Sequence, residues 1–163
     1  MDYHPVVTKI TNLLQQEGCW FETFKHEPVR TSEEAAAIRT GYTIDQGAKA
    51  LIVRVKDKER GKQFVMFVVP GSARFSTEKV KATFGFSDIR FATEAEVAML
   101  TGGVQPGGVP PFGTLFGLPV YADATIMAQE KIVFNAGDRR FSVAMNAADY
   151  QSLVLPQVAA FIV

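Results

Sequence analysis

The segment Lys49-Ala50-Leu51-Ile52-Val53-Arg54-Val55-Lys56, the charged cluster Asp57-Lys58-Glu59-Arg60-Gly61-Lys62 and the run Gln63-Phe64-Val65-Met66-Phe67-Val68-Val69 together set the architecture. In the first segment Leu51, Val53 and Val55 alternate with Ile52, Arg54 and Lys56, the two-residue period of a strand. Ile52 breaks the polar side of that alternation, which points to burial on both faces. The cluster Asp57 to Lys62 carries a turn at Gly61, and the apolar run that follows is a second strand. Two strands joined by a short polar turn form a hairpin, so the pairing is antiparallel. Pro70-Gly71 then breaks the second strand.

Outward from this hairpin the chain alternates helix and strand signals without a regular order. Upstream, Val6, Ile10, Leu13 and Leu14 share one helical face, and Gly18 stands where that helix stops. Cys19 to Lys25 is aromatic-rich and reads as a strand. Thr31 and Glu34 form a capping box for a helix from Ser32 to Arg39, ended by Gly41. Downstream, Ser76 caps a helix carrying Val80 and Phe84 and closed by Gly85. Asp88 to Ala92 reads as a short strand, and Thr93 with Glu96 caps a helix from Glu94 to Leu100. Beyond a loop at Gly102 to Gly113, strands are expected at Leu118 to Ala122, Lys131 to Asn135 and Arg140 to Met145. Asn146 caps a last helix, Ala147 to Leu153. The class is α+β, with a mostly antiparallel or mixed sheet and packed helices, in one domain over residues 1–163. A doubly wound parallel sheet does not fit this order.

The composition narrows the setting. In 163 residues, 47% hydrophobic and 21% charged is the balance of a soluble globular chain. No apolar run approaches a membrane span, and the N-terminus lacks a secretory pattern. A single cysteine, Cys19, rules out an intramolecular disulfide and suits a reducing cytoplasm. Seventeen basic residues balance seventeen acidic ones, so bulk charge does not hold a nucleic acid. DNA and membranes are therefore not expected partners. A nucleic acid whose reacting end enters a pocket stays compatible.

The loop Gly102 to Gly113 holds five glycines and three prolines in twelve residues. Glycine lets backbone N–H groups approach a ligand, and proline fixes the remaining φ angles. Such a loop is stiff, and it either presents N–H donors to an oxyanion or makes a rigid connection. Lys49 opens an apolar strand, either as an ordinary solvated strand-end lysine or with its ammonium in a cleft. Gly41 and Gly47-Ala48-Lys49 do not fit the phosphate-binding P-loop pattern, which excludes nucleotide hydrolysis on that motif. His4, Cys19 and His26 have no zinc spacing, so no metal or other cofactor is expected. Ser72 lacks the Gly-x-Ser-x-Gly elbow, and Cys19 beside Trp20 reads as a packed residue. His26, before Glu27-Pro28 at a strand end, is either a cleft residue or a hydrogen-bonded structural one. A pocket without metal or nucleophile can still hydrolyse an ester that is already activated. It needs to position the ester and a water or ribose hydroxyl, stabilise the oxyanion, and sieve by size.

His26-Glu27-Pro28, Gly47-Ala48-Lys49-Ala50-Leu51, Val69-Pro70-Gly71-Ser72-Ala73-Arg74, Gly107-Gly108-Val109-Pro110-Pro111-Phe112-Gly113 and Phe134-Asn135-Ala136-Gly137 occur in that order. This ordered set resembles the YbaK/EbsC/ProX proteins, relatives of the editing domain inserted in bacterial prolyl-tRNA synthetase. The resemblance implies a mixed, partly barrel-like sheet surrounded by helices, and metal-free hydrolysis in trans of small amino acids such as Ala, Ser or Cys wrongly attached to tRNA(Pro). It implies the acceptor end of mischarged tRNA as substrate and an aminoacyl-tRNA synthetase as a candidate partner. Lys49 looks like the family's functional lysine, holding the terminal adenosine or its phosphate. Gly107 and Gly108 look like the catalytic part of the Gly-x-x-x-Pro loop, with Val109, Pro110, Pro111 and Phe112 completing the substrate pocket. His26, Asn135 and Ser142 are its expected polar lining. Phe24 and Ser142 stand where some cysteine-specific relatives have tyrosine and aspartate, which points away from cysteine selectivity. Two other readings stay open: a non-catalytic tRNA-end or nucleotide-binding module, and a hydrolase of another small activated ester.

Overall fold

The computed structural model describes residues 2–29 and 31–163. The chain runs α1 (Pro5–Gln16), β1 (Phe21–Lys25), α2 (Ser32–Ile38), β2 (Ala48–Asp57), β3 (Gly61–Pro70), α3 (Thr77–Phe84) and β4 (Ile89–Phe91). It continues through α4 (Glu94–Thr101), β5 (Val120–Asp123), α5 (Ala124–Met127), β6 (Lys131–Asp138), β7 (Phe141–Asn146), α6 (Ala147–Val154) and β8 (Gln157–Ala159). Single 3-10 turns at Ile44–Gln46 and Gly113–Phe116 punctuate the connections.

The central hairpin forms with Ala48 opposite Pro70 and Asp57 opposite Gly61. It is the middle of a five-stranded sheet ordered β4-β2-β3-β5-β8. The pairs β2–β4 and β2–β3 are antiparallel, whereas β3–β5 and β5–β8 are parallel. A second sheet, β1-β7-β6, is wholly antiparallel. The result is an α+β fold with one mixed and one antiparallel sheet, not closed into a barrel. An isolated parallel bridge between Gly47 and Val133 brings the start of β2 against β6.

Burial on both faces of the hairpin, expected from Ile52, is realised. Ala48, Ile52, Met66 and Val68 enter the main core with β5, β6 and β7. Val53, Val55, Val65, Phe67 and Val69 enter a second cluster with Val80, Phe86 and Phe161. α1 seals the main core with Ile10 and Leu14, both fully buried, each contributing about 1.5–3 kcal/mol of transfer free energy. Its start is fixed by Pro5 at the first helical position and by His4 Nδ1, which accepts from the Val6 N–H at 3.1 Å.

The other caps behave as the sequence indicates. Thr31 and Thr93 Oγ1 accept from the N–H groups of Glu34 and Glu96, both at 3.1 Å. Gly85 and Gly102 close α3 and α4 in the left-handed region. Some boundaries differ. β1 begins at Phe21, because Cys19 and Trp20 are taken up by the turn out of α1. The segment after α6, in which no element was expected, adds β8 to the sheet. It is held there by buried Asp123, whose Oδ1 accepts from the Phe161 N–H at 2.9 Å.

One feature of β6 bears directly on the site. The β6–β7 register shifts between Asn135 and Asp138, and Gly137 sits inside that bulge at φ 114°. A Cβ on Gly137 would come within 2.8 Å of the Val6 side chain on α1. Gly137 thus serves both a left-handed backbone and a close helix approach. Gly137→Ala is expected to destabilise the fold by at least about 2 kcal/mol. Urea denaturation checks this, and an unchanged midpoint would mean that α1 and the bulge separate freely.

Candidate active site

A cleft of about 120 Å³ lies where the two sheets meet, close in size to an engineered cavity of about 150 Å³ that admits one benzene. Its walls are α2 and the 3-10 turn after it, the start of β2, Gly71, Gly107 and Val109 of the loop, and Phe134-Asn135 of β6. Lys49, Gly107, Val109 and Asn135, separated by up to 86 positions in sequence, therefore line one hollow.

The glycine–proline loop is stiff, and the structure shows what holds it. Gly108 donates its N–H to Gln105 O at 2.9 Å, closing a tight turn with Gly107 at φ 86°. The β6 bulge grips the same turn: Asn135 Nδ2 donates to Gly107 O at 2.7 Å and Gly137 N donates to Gly108 O at 2.8 Å. Farther along, the Tyr150 hydroxyl donates to Pro111 O at 2.5 Å, and burial pushes that phenol's pKa far up, so it stays protonated. The Phe112 ring is fully buried against Phe134 and Tyr150.

This arrangement sorts the expected loop residues. Gly107 and Val109 line the cleft, and among the described residues neither N–H donates to a protein acceptor. The Gly108 N–H is already engaged by Gln105, so Gly108 shapes the turn and does not offer a donor. Pro110, Pro111 and Phe112, expected as substrate contacts, do not line the cleft. They are buried, because this half of the loop doubles back into the core under β6 and α6.

Behind Asn135 lies a connected polar group. Asn135 Oδ1 accepts from Arg39 Nη2 at 2.9 Å and pairs with Ser142 Oγ at 3.1 Å. Ser142 Oγ also accepts from Arg39 Nε at 3.0 Å and lies 2.8 Å from His26 Nε2. His26 Nδ1 faces the Glu27 carbonyl at 2.9 Å, which can only accept, so Nδ1 carries a hydrogen. In the neutral ring Nε2 then receives the Ser142 hydroxyl hydrogen. In the imidazolium Nε2 donates, and that hydroxyl turns to Asn135 Oδ1. Either way Arg39 holds the Asn135 amide oxygen, which leaves the amide nitrogen for Gly107. His26 and Ser142 do not touch the cleft; they support Asn135 from behind.

Two cations flank the hollow. Lys49 is half-buried, with Nζ 3.5 Å from the carbonyl of Ala73, just past the Pro70-Gly71 break. Gly71 there donates to Gly47 O at 2.8 Å and packs so closely that a Cβ would meet Ile44 O at 2.9 Å. Arg39, the residue that ends α2, is only 6% exposed. Burial pulls its guanidinium down to about 10, which still leaves it charged at neutral pH. Sequence reading treated Arg39 as a helix end. Its one signal was a charged residue after the apolar Ala35-Ala36-Ala37-Ile38, and that pattern fits an exposed cap equally well.

A wider hollow of about 390 Å³ opens beyond the bulge, between Tyr3, His4, Arg139 and Arg140. Asp138 anchors it, accepting from the Arg140 N–H at 3.0 Å and from the Arg140 guanidinium at 2.9 and 2.8 Å. Those hydrogen bonds, opposed by burial, hold the Asp138 carboxyl down to about 2. Because the folded-state pKa is depressed, this contribution to stability is complete above the ordinary carboxylate range and is lost as pH falls towards 2. Thermal midpoints between pH 5 and 2 are expected to fall less steeply in Asp138→Asn than in the parent chain. Equal slopes would remove Asp138 from the acid response.

A family model described as an aminoacyl-tRNA editing domain matches residues 26–153. The chain belongs to the aminoacyl-tRNA editing domain family. The matched span takes in His26, Arg39, Lys49, the loop and the β6–β7 hairpin. Over 154 residues the chain is 33% identical to the multifunctional Ser/Thr-tRNA deacylase ProXp-y of Escherichia coli K12, covering 94% of this chain and 90% of the relative. It is 32% identical over 120 residues to a proline–tRNA ligase of Ralstonia nicotianae, covering 73% of this chain and 21% of that longer enzyme. A solved structure described as a candidate trans-editing enzyme for prolyl tRNA synthetase superposes with a TM-score of 0.82 at 27% identity, over 99% of both chains.

Proposed function

We propose that this editing domain, residues 1–163 acting as one unit, hydrolyses in trans the ester of mischarged aminoacyl-tRNA carrying a small amino acid, such as alanine, serine or cysteine, on tRNA(Pro). The observation that carries the reading is the convergence of Lys49 and the Gly107–Val109 backbone on one hollow of about 120 Å³. The aminoacyl ester needs little activation, since its vicinal ribose hydroxyl and α-amine already make the carbonyl reactive. The N–H groups of Gly107 and Val109 hold the carbonyl and receive charge as the oxyanion develops. Lys49 binds the terminal adenosine or its phosphate and so fixes the ester relative to the loop. A water or the ribose hydroxyl completes the reaction.

Selectivity follows from volume, because only a short side chain fits beside Phe134 and Val109. The Escherichia coli relative's name favours hydroxylated side chains, so serine and threonine esters stand beside alanine and cysteine as test substrates. No helix among the described residues is long and apolar enough to cross a membrane. The chain's setting is the cytoplasm, with mischarged tRNA delivered freely or by a synthetase.

Alanyl, seryl, threonyl and cysteinyl esters of tRNA(Pro), incubated with the protein, give the direct test. Release of at least one is expected. Binding without release would favour a non-catalytic tRNA-end module, and turnover of small free esters alone would favour a different hydrolase. In Lys49→Ala, deacylation is expected to drop about 10²-fold or more with the thermal midpoint unchanged; wild-type rates would discard the assignment. Gly107→Val places a β-branched residue at φ 86° and is expected to cut turnover about as strongly. Unchanged kinetics would make the loop merely architectural.

A further inference from the structure

Arg39 is the most deeply buried cation bordering the cleft, and its charge is not matched by the protein. Its Nε and Nη2 are taken by neutral acceptors, Ser142 Oγ and Asn135 Oδ1. Among the described residues no carboxylate pairs with it, and none lines the cleft. Among the described residues the remaining nitrogen, Nη1, has no hydrogen-bond partner. Every buried side-chain nitrogen among the described residues does have one, so Nη1 keeps an open face. A Cβ on Gly47 would lie 3.8 Å from Nη1, and Gly47 is itself part of the cleft wall. A guanidinium that is nine-tenths buried, fixed on one edge and open on the other, is organised to receive an anionic oxygen.

We propose that Arg39 binds an anionic oxygen of the substrate in this cleft and is a substrate-binding residue of the editing reaction. The inference rests on the editing reading given above. Two substrate oxygens have this chemistry: the oxyanion formed from the ester carbonyl, and the phosphodiester of the terminal nucleotide. Lys49 and Arg39 would then hold the substrate at two points. Lys49 lies on the Ala73 side, and Arg39 lies on the side of Asn135 and the loop. The bond from Arg39 to Asn135 also couples this receptor to the position of Gly107.

Full-length Arg39→Gln and Arg39→Lys test this. Glutamine keeps an amide donor for Asn135 but removes the charge, whereas lysine keeps the charge but loses the planar fork. After circular dichroism and thermal midpoints establish folding, kcat and KM are measured on the mischarged tRNA(Pro) panel. Affinity for adenosine 5′-monophosphate is measured by calorimetry as a catalysis-independent readout. Arg39→Gln is expected to lose about 10²-fold in kcat/KM, with Arg39→Lys intermediate. A loss in kcat alone assigns the anion to the ester oxyanion. A rise in KM with weakened nucleotide binding assigns it to the phosphodiester. Unchanged kcat, KM and nucleotide affinity in folded Arg39→Gln overturn the proposal. Should that variant not fold, wild-type values in Arg39→Lys do so. If the wild type releases no amino acid while nucleotide binding still depends on Arg39, the anion site stands and the editing reading falls.

Discussion

The grip of the β6 bulge on the glycine–proline loop is the constraint from which the rest of the site follows. Two hydrogen bonds, Asn135 Nδ2 to Gly107 O and Gly137 N to Gly108 O, join a sheet to a segment with no regular structure of its own. Without them the turn would keep its internal Gln105–Gly108 bond and the bond from Arg139 Nε to the Gln105 side chain, but nothing would fix the Gly107 and Gly108 carbonyls. A bulge frees backbone groups that a regular ladder would consume, and here the freed Gly137 N–H is spent on the loop. The cost is a left-handed residue wedged against α1, which only glycine meets at φ 114°. The conformation of the loop is thus set by β6 and α1, and the loop's own sequence has to be compatible with that setting.

Much of the framework was legible because each signal is local. The alternation in Lys49 to Lys56, the turn at Gly61 and the break at Pro70-Gly71 are properties of neighbouring residues, and the hairpin forms between them. The capping threonines and closing glycines are equally local. The parallel pairings of β5 with β3 and β8 were not specified by any such signal. The second of them is held by Asp123, a buried carboxylate that caps α5 through the Thr125 N–H and holds the Phe161 N–H across 38 positions. Nothing around Asp123 in the sequence distinguishes it from a solvated strand-end acid.

The site divides along the same line. Lys49, Gly107, Val109 and Asn135 were found from composition and an ordered set of motifs, and they share one hollow. Pro110, Pro111 and Phe112 belong to the same motif yet face the core, since a motif records which residues occur together and not which way each points. Gly108 was read as an N–H donor, but a turn uses its hydrogen internally. Arg39 was missed for the opposite reason. It is an isolated charge at a helix end, and only the tertiary approach of β6 and β7 converts it from a cap into the fixed neighbour of Asn135 and Ser142.

Charge explains how a chain with seventeen basic and seventeen acidic residues can address a polyanion. Long-range attraction scales with net charge and is screened within about 8–10 Å at ordinary ionic strength. This protein therefore has little pull on a tRNA at a distance. Inside the hollow the balance is different, because Lys49 and Arg39 border it and no carboxylate among the described residues lines it. At short range such charges act on a bound anion far more strongly than they do through bulk water. On the proposed reading, the same local field disfavours an α-ammonium deep in the cleft, so the aminoacyl group would enter with its amine towards the open mouth and its carbonyl towards Gly107. On that reading, a weak grip on the body of the tRNA and a stronger one on its end suit an enzyme that sorts its substrates by the aminoacyl group alone.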